Sequence, residues 1–154
     1  MSFAKSTKTT KSGERVPARR KDVPTPTPET RHFWDGAKRG KLVLQRCCAC
    51  AAVYFPPRPF CPKCSSRSIE PFEASGRATL YSFVINHRPR PDWPQEPHSI
   101  AIVQLEEGPC MITNIVNVAQ TPDALRLDQP LEVVFEPLSD EIYLPVFQPR
   151  GQGR

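Results

Sequence analysis

Five of the six cysteines fall between Cys47 and Cys64. Cys47 and Cys50 enclose two residues, Cys61 and Cys64 enclose two more, and ten residues separate the pairs. A two-residue gap lets a tight turn aim both sulfurs at one ion with backbone N–H groups facing them. Two such turns opposed to each other make a tetrahedral four-thiolate site. The spacing predicts one structural zinc ion, with iron, an empty site or a disulfide-bonded form as alternatives. Cys48 is left outside, because pairing it with Cys50 would leave a single residue in the turn; it reads as a free thiol beside the knuckle. Cys110 lies in an apolar run and reads as a buried, inert thiol.

A catalytic zinc keeps one position open for water, whereas four thiolates fill the tetrahedron. His32, His87 and His98 are the only histidines, and none stands at ligand spacing. The metal therefore works on folding, where structural zinc is worth on the order of 10 kcal/mol at neutral pH. That exceeds what a short ribbon gains by burial. Iron knuckles usually carry glycine after each cysteine pair; here those positions are Ala51 and Ser65, which disfavours iron.

The elements that must position these sulfurs are short. Thr27, Pro28 and Glu29 read as the start of a helix running to about Arg39 and ending at Gly40. Its apolar stripe of Phe33, Trp34 and Ala37 either packs on the chain's own ribbon or presents Phe33 and Trp34 to another subunit. KLVLQR leads into the first cysteine pair, VYF leads out, and Pro56, Pro57 and Pro59 bar helix before the second. SIEPFEA is a returning strand.

After Gly76 the texture changes to five β-rich runs: Ala78 to Asn86, Ser99 to Leu105, Cys110 to Val116, Leu131 to Glu136 and Ile142 to Phe147. Thr121, Pro122 and Asp123 mark a helical turn between the third and fourth. This order predicts a mostly β protein with an N-terminal helix, a zinc ribbon and a closed five-stranded Greek-key OB barrel. The expected divisions are a disordered basic tail over 1–26, helix over 27–40, ribbon over 41–74, OB fold over 75–149 and a flexible end over 150–154.

The chain has 154 residues and a formal net charge of +5. Residues 1–31 hold eight Lys/Arg and three acids, while the remaining 123 residues carry 13 of each sign. The folded body thus lacks the basic excess that nucleic-acid binding requires, although a zinc-ribbon/OB module that binds single strands remains the rival reading. No apolar run long enough to span a bilayer and no secretory leader is present, which suggests a soluble cytoplasmic protein.

The blocks FWDGAKRGKLVLQRC, PPRPFCPKC, SGRATLYSF and LPVFQP, over about residues 30–148, resemble the family of small acyl-CoA-associated proteins with a rubredoxin-like zinc ribbon before an OB fold. The resemblance implies a non-catalytic hetero-oligomeric partner of a thiolase-like enzyme or a hot-dog-fold hydratase acting on acyl-CoA. Ala51 replaces the family's usual glycine, Asp128 stands where glycine is frequent, and the basic tail is extra. In the loop HRPRPDWPQEP, Arg88 and Arg90 offer guanidinium groups to coenzyme A phosphates and Trp93 an adenine-stacking surface; a proline-stiffened surface loop is the alternative.

Overall fold

The computed structural model describes residues 23–88, 91 and 95–151. The elements in order are α1 (Arg31–Lys38), β1 (Val43–Cys47), β2 (Val53–Tyr54), β3 (Ile69–Glu73), β4 (Arg77–Asn86), β5 (His98–Leu105), β6 (Cys110–Thr113), β7 (Pro130–Pro137) and β8 (Tyr143–Pro149).

α1 is shorter than the expected 27–40 helix. The Thr27 carbonyl accepts the N–H groups of Thr30 and Arg31, but the Thr27 backbone N–H and hydroxyl engage Thr30 Oγ1. Residues 27–30 therefore close a separate turn that feeds the helix. The C-terminal end is as expected. Gly40 adopts φ +72°, its N–H donates to the Ala37 carbonyl, and the Lys41 N–H donates to Gly36, which is a Schellman termination.

Two antiparallel sheets follow. The ribbon is ordered β2-β1-β3 and the larger sheet β6-β5-β4-β7-β8. The five-stranded sheet curls into a half-barrel of OB type, and its edges meet at one parallel bridge between Ile115 and Phe147. There the Val116 N–H donates to Phe147 and the Phe147 N–H to Asn114. Closure is therefore a single contact and not a full ladder, because β6 stops at Thr113 before its apolar run is used up. The predicted helical turn at Thr121 is one turn, in which Ala124 and Leu125 donate to the Thr121 carbonyl.

One apolar core crosses the ribbon–barrel boundary. Leu42 and Leu44 from the ribbon, Phe33 from α1 and Leu80, Val103, Leu131 and Phe147 from the half-barrel belong to the same buried cluster. The ribbon's far end has its own small cluster of Cys47, Tyr54 and Cys61. Burial thus anchors the near end of the ribbon, and the cysteine end depends on something else. Cys110 faces outward and is exposed; strand alternation gives the inward positions to Met111 and Thr113.

Candidate metal centre

The two cysteine turns repeat one backbone pattern. In the first, the Ala51 N–H donates to the Cys47 carbonyl and the Cys47 N–H to Ala52; in the second, Ser65 donates to Cys61 and Cys61 to Ser66. Both turns end in a left-handed residue, Ala51 at φ +58° and Ser65 at φ +62°. That geometry folds each Cys-x-x-Cys so that its sulfurs converge. Cys47 closes β1, and the segment leading into the second turn is tied to the same strand through Gln45, whose Oε1 accepts the Arg58 N–H at 2.8 Å.

Cys47, Cys50, Cys61 and Cys64 bring their sulfurs within 4.8 Å of one another. Cys47 Sγ lies 3.6 Å from Cys64 Sγ, and Cys50 Sγ 3.7 Å from Cys61 Sγ. A tetrahedral ion with zinc–sulfur bonds of about 2.3 Å requires sulfur separations of about 3.8 Å. The donor set fits one zinc ion and leaves no protein-free corner for substrate. Cys47 and Cys61 are buried, Cys50 is half-buried and Cys64 is exposed; Cys48 is exposed and outside the group.

The electrostatics of the four sulfurs favour a cation. Burial raises the Cys47 thiol, but N–H groups of Cys50 and Ala49 and the neighbouring thiols bring it down to about 6. At Cys64 the Ser66 N–H favours the thiolate, yet Cys50 and Cys47 outweigh it and push the thiol up to about 12. One sulfur ionises at the expense of another. A divalent ion removes that conflict and lets all four act as thiolates, releasing protons as it binds.

Other predicted site residues separate from this centre. Phe33 is buried at 5% exposure, stacked edge-on with Trp34 and tilted against Phe55. Of the two readings of this stripe, packing on the chain's own core is the one that the burial of Phe33 favours. Trp34 is half-buried against the same core. Arg88 is exposed just past β4, with its N–H on Asn86 Oδ1; Arg90 and Trp93 lie outside the described residues. Sequence reasoning missed Gln45, buried at 5%, because a polar residue in an alternating strand reads as solvent-facing.

The fold and the four-sulfur centre define a rubredoxin-like zinc ribbon joined to an OB fold. Residues 34–70 match the model of the ChsH2 rubredoxin-like zinc ribbon domain, and residues 72–136 that of the ChsH2 C-terminal OB-fold domain. A DUF35 domain-containing scaffold protein of Methanocaldococcus jannaschii is 33% identical over 102 residues, covering 65% of this chain and 71% of that protein. A probable enoyl-CoA hydratase alpha subunit of Thermomonospora curvata is 33% identical over 142 residues. That alignment covers 92% of this chain, which spans only 44% of the relative's length. Among solved structures, the Ltp2-ChsH2(DUF35) aldolase superposes with a TM-score of 0.73 at 34% identity, covering 82% of this chain and 98% of that one. The chain belongs to the DUF35 family of ChsH2-type zinc-ribbon/OB-fold proteins.

Proposed function

We propose that this chain is a non-catalytic, zinc-stabilised scaffold subunit of an acyl-CoA enzyme complex. The match to nearly the whole DUF35 chain of an aldolase assembly carries this reading. The catalytic partner would be a thiolase-like enzyme, an aldolase or a hydratase, and the site of action the cytoplasm. No helix among the described residues is long and apolar enough to cross a membrane.

The chemistry of the chain agrees. Acyl transfer by a cysteine needs an adjacent base. Cys110 stands opposite Gln104, and His98 begins the same strand six residues earlier, about 20 Å away along the strand. The outward surface is apolar: Tyr81, Val84 and Ile112 are 60%, 61% and 73% exposed. Cross-strand pairing of Val84 with Ile100 and of Ile102 with Ile112 joins Val84, Ile100, Ile102 and Ile112 into one stripe. β5 and β6 contain no Lys, Arg, Asp or Glu. Such a face suits a protein partner and not a polyanion. Arg88, with Arg90 and Trp93, is proposed to reach the coenzyme A moiety where that partner presents it.

Co-purification of the tagged chain from its native source tests the proposal. An identified acyl-CoA enzyme should accompany the wild type, and Ile112→Lys should reduce that capture with zinc content unchanged. Recovery of no such enzyme, together with single-stranded nucleic-acid binding that weakens steeply with salt, would sink it.

A further inference from the structure

Tyr54 sits in the small cluster that Cys47 and Cys61 form at the far end of the ribbon. β2 pairs Tyr54 directly with Gln45 on β1, and the Gln45 side chain accepts the Arg58 N–H. The residue is 7% exposed, yet its hydroxyl is buried with no hydrogen-bond partner. An orphaned hydroxyl is costly to bury, so its retention calls for an acceptor in the working state. The side-chain acceptors that share this cluster with Tyr54 are the sulfurs of Cys47 and Cys61. A four-thiolate zinc centre carries excess negative charge, and thiolates accept hydrogen bonds far better than thiols do.

We propose that Tyr54 is a positioning residue of the metal centre, whose O–H donates to a thiolate of the buried Cys47–Cys61 side once the ion is bound. Knuckle backbone N–H groups already serve the sulfurs, as where the Lys63 N–H faces Cys61 Sγ at 3.4 Å. Tyr54 would add a side-chain donor beside the two buried ligands, Cys47 and Cys61.

Tyr54→Phe keeps the ring and removes only the donor, so the sign of its effect decides. The variant should bind zinc about 10-fold more weakly in competition with a chromophoric chelator. In the cobalt-loaded variant, the sulfur-to-metal charge-transfer band should move to longer wavelength, since a thiolate without its hydrogen bond is easier to oxidise. Unchanged or tighter zinc binding with an unmoved band would overturn the proposal, because deleting a truly orphaned hydroxyl only relieves its burial. A second measurement uses the intact wild type: zinc loading should slow solvent exchange of the Tyr54 hydroxyl proton, and unaltered exchange would count against the bond.

Discussion

Ala51 and Ser65 hold the two sharpest backbone conflicts of the metal centre, each a residue with a Cβ in left-handed conformation. That conformation costs roughly 1–2 kcal/mol, while glycine's larger unfolded entropy costs roughly 0.5–1 kcal/mol. The first term is the larger. Ala51→Gly and Ser65→Gly should each stabilise the zinc-loaded protein by about 0.5–1 kcal/mol, seen as a higher midpoint in denaturant titration. Asp128, at φ +60°, should gain less, because a short polar side chain tolerates this region. Cys61→Ser should abolish stoichiometric zinc, whereas Cys48→Ser should keep one ion per chain, as measured by metal analysis. The ligand set was legible in the sequence because knuckle spacing is local information. Cys110 was not: CMIT has weak polar contrast between its faces, and only the register with β5 sets which side looks outward.

At the scale of elements, α1 approaches β1 closely enough that a Cβ on Gly36 would lie 2.5 Å from Val43 Cγ2 and 2.9 Å from the Lys41 carbonyl oxygen. The second neighbour is backbone and cannot swing aside. Gly36→Ala should destabilise by about 1–3 kcal/mol in equilibrium unfolding. On the same helix, burial lowers the His32 pKa below its ordinary 6.5, with Asp35 pulling the other way. The unfolded chain then takes up this proton first as pH falls. Stability from neutral His32 is full above that ordinary value and declines as pH drops through it towards the folded value. The His32→Gln variant should therefore show a shallower loss of stability than wild type between about pH 7 and pH 5; parallel curves would contradict this assignment. The glycine stop of α1 and the strand runs could be anticipated from turn chemistry. The inward docking of Phe33 stood as one of two readings, since the amphipathic stripe does not say which surface covers it.

For the whole molecule, one core joins helix, ribbon and half-barrel, and the four sulfurs hold the end that this core does not reach. The division at residues 74 and 75 marks a change of sheet and not of packing, because the contacts that cross it are long-range. Ser99 shows how the half-barrel closes. It is fully buried, its hydroxyl accepts the Ile115 N–H at 3.0 Å and donates to the Ile115 carbonyl. Its loss would orphan the Ile115 N–H beside the Ile115–Phe147 bridge, while the Ile115 carbonyl would keep Gln120 Nε2. On the proposed function, the metal makes no chemistry of its own and instead holds a shape that an acyl-CoA enzyme recognises. The most direct test is to strip the purified chain with a chelator, add metal back, and measure capture of the co-purified enzyme at each stage. The expected result is a colourless protein with one zinc ion, capture lost on stripping, and capture restored by zinc. Capture that survives metal removal unchanged, or a coloured iron-bearing protein, would contradict it.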